Sequence, residues 1–458
     1  MLAPFFKRHA SVGEKIRGRQ SMERAHAKVA LHKNIHFFFR WTIIAGIMGI
    51  LCGLVGSAFG HGVHYAQVFF SEHDFMLYLM PVSGILIVIV HKVLKQVGNK
   101  GTNLILESIH GHEKVNFTLL PTIFISTILS HFVGASAGKE GAALQIGASI
   151  ADVVGDAFKL HDKDKKIIIM CGMSGCFGAI FGTPLAAAMF GMEVAVIGVA
   201  YYAAFIPCVF AAFIGAEVSH LLGLHAEAFT ILNIPEFELH TMIFPIAIGL
   251  LGAVVSIIFC EVVHKAHHIY HKKFHNLYVR VLVASAIFMA MVFIFGRDYC
   301  GAGFNLVEQA IHGESRYEAF ILKMLFTAVA LGGGFKGGEI VPTLAIGATL
   351  GSAFGNIVGF EPSLMAACGM LALFVGATNC PTATLFLGFE LFGFEGMPYF
   401  AVTVAISFAL SGYFGLYTSQ KFAHATAKTE LMHLNHHPHH PHHSHHEPDH
   451  VKMTYHEH

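Results

Sequence analysis

Charge is what this sequence has least of. Only 13% of its 458 residues are Asp, Glu, Lys or Arg, against roughly 25% in a soluble domain. The 29 basic residues balance 29 acidic ones, so the basic footprint of a nucleic-acid binder is missing. No CxxC pair occurs among the eight cysteines, and most of them lie in apolar stretches, where they read as small buried hydrophobes. No His-Glu-x-x-His pair stands inside an apolar run, which argues against an intramembrane metalloenzyme. A cleavable signal peptide is not expected either, because the first forty residues are too charged and no small-residue cleavage site follows the first apolar run. That segment holds Lys7, Arg8, Lys15, Arg17, Arg19, Arg24, Lys28, Lys33 and Arg40 against Glu14 and Glu23. The excess of basic residues predicts a cytoplasmic N-terminus for a membrane protein.

What is there is apolar. Hydrophobic residues make up 54% of the chain, with 47 glycines and 42 phenylalanines, and mean hydropathy is +0.60. The clearest apolar runs are 41–60, 76–96, 117–134, 167–181, 183–214, 242–263, 279–296, 318–333, 363–377 and 396–412. A simple span needs about 20 apolar residues. Several runs are shorter and many are broken by Gly or Pro, which predicts spanning helices mixed with half-length ones. Broken helices survive in a bilayer only where protein covers them or a polar cavity receives them.

The sequence also repeats. CGMSGCFGAIFGTPLAAAMFGME at 171–193 aligns with CGMLALFVGATNCPTATLFLGFE at 368–390, an offset of 197. IGASIA at 146–151 aligns with IGATLG at 346–351, and GTNLILESI at 101–109 with GFNLVEQAI at 303–311. Three matches in one order at nearly constant offset divide the chain into halves at about 37–223 and 240–423. A basic segment, 1–36, precedes them, and a His-rich tail, 424–458, follows. Paired halves are common in transporters, often in opposite membrane orientation with the transport site between them. In the tail, prolines separate histidine pairs, so neither helix nor core is expected. His436, His437, His439, His440, His442 and His443 are candidate ligands for a divalent metal.

Two stretches carry candidate chemistry. In GASAGKEGAALQIGASIAD (134–152), glycines surround Glu140 and a helix is predicted to follow it. Backbone N–H groups at a helix start are unpaired and partly positive, a ready anion site. A carboxylate there can occupy the site itself, leave when protonated, and give way to a free anion. Glu140 is therefore a candidate plug and proton carrier, against the plainer reading of a helix cap or a partner for Lys139. GGGFKGGEIVPTLAIGATLG (332–351) has the same build in the second half, with Pro342 as a helix starter. Two helix starts aimed at one centre would hold an anion by N–H dipoles, where a buried Lys or Arg would bind it too tightly to release. Tyr417 or Tyr413, in SGYFGLYTSQ, offers a hydroxyl donor. Glu193 and Glu390 close the two matched repeats, and their symmetry favours a structural role in capping.

The order of GKEGAALQIG, FGTPLAAAMFGME, GGEIVPTLAIGATLG and a late tyrosine resembles the CLC chloride channel and transporter family, over about 37–423. The resemblance implies an all-α polytopic fold of two inverted repeats of spanning and half-length tilted helices, a homodimer, and one anion path per subunit. Glu140 matches the gating glutamate, Glu339, Ile340 and Pro342 match the second glycine motif, and Tyr417 matches the central tyrosine. The candidate anion-binding residues are Gly138, Lys139, Gly141, Gly338, Glu339, Ile340, Val341 and Tyr417. Asn99, Lys100 or Gly101 takes the region of a GSGIP element whose serine touches the anion in the family and which is missing here.

Ala142 replaces a proline, and Val194 stands where chloride antiporters carry an internal proton glutamate. With GGGFKGGE and NLILESIH, these departures resemble the fluoride-exporting branch, which exchanges fluoride for protons. Val341 departs from that branch too, where a threonine precedes the proline. Transport of a small anion follows as the expected function, fluoride out against protons in, with no cofactor, in a bacterial inner membrane with both termini cytoplasmic. A chloride/proton antiporter or passive chloride channel of the same family is the alternative, and a metal-handling membrane protein using the tail a remote one.

Overall fold

The computed structural model describes residues 3–111 and 113–423, and side chains from 35 onward. The described residues fold as two sets of eight helices. The first set is α1 (Ala3–Glu72), α2 (Met80–Val93), α3 (Thr102–His110), α4 (Leu119–Phe132), α5 (Glu140–Ala157), α6 (Asp162–Phe181), α7 (Pro184–Glu193) and α8 (Phe205–Leu221). The second is α9 (Ile243–Lys273), α10 (Leu277–Phe295), α11 (Phe304–Ile311), α12 (Ala319–Gly333), α13 (Ile340–Val358), α14 (Pro362–Thr378), α15 (Pro381–Phe392) and α16 (Met397–Ser411). Two short strands, β1 (Val196–Ile197) and β2 (Lys421–Phe422), pair in parallel and tie the C-terminal strap to the first half. Helix α1 runs through the basic segment 1–36 and on into the apolar part of the chain.

Among the described residues, six helical segments are long and apolar enough to cross a membrane: Ile35–Glu72, Asp74–Val93, Tyr202–Leu221, Ile243–Lys273, Leu277–Phe295 and Ile340–Val358. Others are too short. At 1.5 Å per residue, α3 with 9 residues and α11 with 8 reach about 14 and 12 Å, less than half of a hydrocarbon core of about 30 Å. The apolar run 183–214 is not one helix. α7 stops at Glu193 and α8 starts at Phe205. Between them stand the β-branched pair Val196–Ile197 of β1 and Gly198 at φ +85°, a conformation a helix cannot continue.

The halves meet about a local two-fold. Gly138 and Gly338, 200 residues apart, form an antiparallel bridge with reciprocal N–H···O bonds of 2.7 Å each way. Farther along the same helices, Gly147 packs on the backbone of Gly172 and its mate Gly347 on that of Gly369, too close for any side chain. Small residues are what let membrane helices approach to that degree. A second symmetric device joins the C-terminal parts of the halves. Glu390 accepts hydrogen bonds from the Leu185 and Ala186 amides at 2.8 and 2.9 Å, at the start of α7. Glu193 accepts from the Thr382 and Ala383 amides at 3.3 and 2.9 Å, at the start of α15. Each carboxylate caps the helix whose mate carries it.

Candidate functional site

Two cavities flank the bridge. One, of 450 Å³, is lined by the 99–103 loop, His91, His264, His267, Lys336, Glu339 and Tyr417 among others. The other, of 460 Å³, is lined by Gln67 and Phe70 near the end of α1, by His131, by Arg297 and Asp298, and by 300–305. They lie at opposite ends of α2. Asp74, just before that helix, pairs with Arg297 of the second cavity, and His91, near its far end, lines the first. The repeat-related loops 101–103 and 303–305 therefore open on opposite cavities. That opposition makes the repeats inverted.

Glu140 lines neither cavity and is fully buried. It is the first residue of α5, after Lys139 as N-cap. Its carboxylate folds back over Gly138, where a Cβ would collide with Oε2. It turns toward its own amide and, across the repeat boundary, toward the amide of Val341. Neither oxygen makes a hydrogen bond within ordinary geometry. A buried carboxylate left in that condition is costly, and the structure supplies the nearby Lys139 charge and the partly positive helix starts to receive it. The loss of a threonine at 341 is thereby reduced in weight, since the Val341 amide faces the carboxylate whatever its side chain. Gly141 must lack a side chain too: a Cβ there would stand 3.0 Å from Gly338 Cα.

The remaining candidates divide. Gly138, Gly141, Gly338, Glu339, Ile340 and Val341 gather at the two helix starts. Glu339, the N-cap of α13, and Tyr417 line the first cavity. The Tyr417 hydroxyl is buried without a partner, and its ring stands edge-on to Phe190 at 6.5 Å. Tyr413 instead packs on Phe422 at 4.4 Å. The Lys139 ammonium is engaged away from that cavity, 3.7 Å from Glu227 and 5.8 Å from the centre of the Phe304 ring. Asn99 and Lys100 line the first cavity, but their polar groups are spent on Gly101, Gln96 and Glu107. The tail histidines His436, His437, His439, His440, His442 and His443 lie outside the described residues, and among the described ones no group of three or more His, Cys, Asp or Glu could hold a metal.

Sequence reasoning missed Gln145, His91, His267 and Lys336 on the first cavity. The signal for Gln145 was its place one turn beyond Gly141; its amide nitrogen bonds Gly141 O at 3.0 Å and its oxygen is buried without a partner. His91 stands alone on α2 and gave no signal, whereas His264, His267, His268 and His271 recur at helical spacing near the end of α9.

Residues 82–412 match the voltage gated chloride channel family. The chain belongs to this family. A chloride/fluoride channel protein of Pseudomonas syringae pv. tomato is 32% identical over 397 residues, 85% of this chain and 88% of that one. An H(+)/Cl(-) exchange transporter of Vibrio cholerae is 25% identical over 389 residues, 77% of this chain and 82% of that one. Among solved structures, a CLC-type fluoride/proton antiporter superposes with a TM-score of 0.81 at 28% identity, over 84% of this chain and 98% of that one. A slow cyanobacterial Cl-/H+ antiporter, at 21% identity and a TM-score of 0.71 over 81% of this chain and 94% of that one, shares the fold. This CLC protein is thus an integral, multi-pass membrane protein and not an enzyme.

Proposed function

We propose that this CLC protein exports fluoride in exchange for protons, with Glu140 as gate and proton carrier. The observation that carries the reading is the Glu140 carboxylate itself: fully buried, without a hydrogen bond, and lodged against the amides that begin α5 and α13. When protonated it no longer competes for those amides, and a small anion can take its place. The fluoride proteins among the relatives support the choice of ion. So does the dense set of donors, since fluoride surrenders a tightly held hydration shell only to close N–H and O–H groups. The excess of basic residues before α1 favours a cytoplasmic N-terminus. α1 ends at the Arg297 cavity, so that cavity faces outward and the His267 cavity inward. Each subunit of a homodimer carries its own pathway.

The passive-channel reading draws on one observation. Val194, fully buried beside Glu193, supplies no carboxylate for an internal proton route. Proteoliposomes loaded with fluoride separate the readings. Fluoride efflux followed with an ion-selective electrode is expected to drive proton uptake against a pH gradient. Chloride efflux faster than fluoride efflux would sink the ion assignment, and fluoride flux that never moves protons uphill would sink the exchange.

A further inference from the structure

The Glu140 carboxylate lines neither cavity, yet the exchange proposed above loads it with protons from the outer, Arg297 side. A group on that cavity's wall must therefore reach the gate. Four titratable residues line it: His131, Arg297, Asp298 and Cys300. Arg297 pairs with Asp74 and donates to Phe70 O at 3.1 Å, and Asp298 pairs with Arg316 at 3.1 Å. A thiol such as Cys300 titrates above neutral pH. His131 is left, in the last turn of α4 and 1% exposed. Its Nδ1 lies 2.8 Å from Thr127 O. A carbonyl only accepts, so Nδ1 carries the hydrogen and Nε2 is bare in the neutral ring. Among the described residues Nε2 is buried without a hydrogen-bond partner. An unpaired buried base costs stability, and histidines inside membrane proteins commonly serve as proton relays.

Its place ties the cavity to the gate. The chain passes from α4 to α5 through residues 133–139, and this loop is pinned to the same cavity wall. Gly134, at φ +70° with the Phe70 ring where a side chain would stand, accepts from the Gly301 amide at 2.9 Å. The His131 ring lies beside Ala137 and Lys139 of the loop. Glu140 comes next and has the same Lys139 charge beside it. We infer that His131 is the outer proton relay: Nε2 takes a proton from water in the Arg297 cavity and passes it to the Glu140 carboxylate as that group leaves the helix starts. An N–H bond forms, then breaks as an O–H bond forms on the carboxylate. The ring ends neutral, and Nδ1 keeps its hydrogen on Thr127 throughout. The surrounding charges suit passage and not storage. Lys139 and Lys323 both stand near the ring, and the acids of the cavity mouth, Asp74 and Asp298, are held by Arg297 and Arg316. From α1 the cavity receives only the neutral Gln67, Phe70 and Ser71, and α2 carries His91 and Lys92 at its far end. This rests on the exchange reading above and adds the step that loads the gate.

His131→Asn keeps a side-chain N–H for Thr127 O and removes the base. In proteoliposomes at equal pH on both sides, proton-coupled fluoride efflux by this variant is expected to fall about 100-fold, the lower end of what a positioned proton-transfer group contributes. The fall is expected in the maximal rate and not in the KM for fluoride. His131→Ala is expected to be as slow, and imidazole added to the medium to restore it. Pyrazole, which has the same shape but is not a base near neutral pH, is expected to restore nothing. A His131→Asn protein with wild-type coupled efflux overturns the relay alone, provided the wild type couples. So does rescue by pyrazole as full as that by imidazole. A fall just as deep in the Glu140→Gln background, where the flux carries no protons, also overturns it, because His131 would then serve the shape of the 133–139 loop. Wild-type fluoride flux that moves no protons overturns the exchange reading, and the relay with it.

Discussion

The starts of α5 and α13 are the same backbone carrying different chemistry. Each follows a glycine of the Gly138–Gly338 bridge and opens a helix of 18 or 19 residues. At the N-cap, however, the first half has Lys139 and the second Glu339. At the next position the first half has Glu140 and the second Ile340. Shifting the acid by one residue moves it from a cavity wall into the space between the cavities: Glu339 lines the His267 cavity, while Glu140 is sealed. A symmetric frame can make an anion site from two helix starts. It cannot make a gate, because a gate has to distinguish one side from the other. With Glu140 as the proposed gate, the gate comes from the residues that break the symmetry.

That distinction is tested first by neutralising each acid. Glu140→Gln should abolish fluoride-driven proton uptake while passive fluoride flux persists, since glutamine cannot titrate and carries no charge to hold it against the amides. Glu339→Gln should slow proton uptake without abolishing it, because a cavity-wall group is one of several polar groups in contact with water. Proton flux and fluoride flux recorded together in proteoliposomes decide the matter. If both variants lose coupling to the same degree, the acids are equivalent and the asymmetric gate is wrong.

The frame was far more legible in the sequence than the gate's surroundings. The repeat offset of 197–202 announced two halves, and the matched glycine motifs announced two helix starts, because close backbone approach leaves glycine in fixed places. The pairing of Glu193 with Glu390 announced capping. Inversion came from the family resemblance and not from the repeat itself, since sequence identity is blind to which cavity a loop meets. The break inside 183–214 was hidden by uniform hydropathy, although Val196, Ile197 and Gly198 hold its cause. Only the folded chain shows that Asn99 spends itself on its own loop and Lys100 on Glu107.

Methyl groups at the bridge should give unequal results. On Gly138 a Cβ meets first the Glu140 carboxylate, the free end of a side chain; on Gly338 it meets the backbone of Gly141. Gly138→Ala should fold and leak anions, with the gate displaced. Gly338→Ala should lose about 1–3 kcal/mol, the range for overpacking a tight contact, and show a lower melting temperature in detergent. A Gly338→Ala protein as stable as wild type, or a Gly138→Ala protein that keeps its gate closed, would mean the bridge yields more readily than its geometry implies.

The smallest effects are expected at the reciprocal caps, and there symmetry should hold. Glu193→Gln and Glu390→Gln each keep one acceptor oxygen for two amides, so each should cost about 1 kcal/mol and lower the melting temperature by similar amounts. Neither carboxylate lines either cavity, so the ratio of protons to fluoride should stay at the wild-type value in both. A change in that ratio in Glu193→Gln alone would assign Glu193 to the proton route. Its symmetry with Glu390 would then be confined to the backbone, as it is for Glu140 and Ile340.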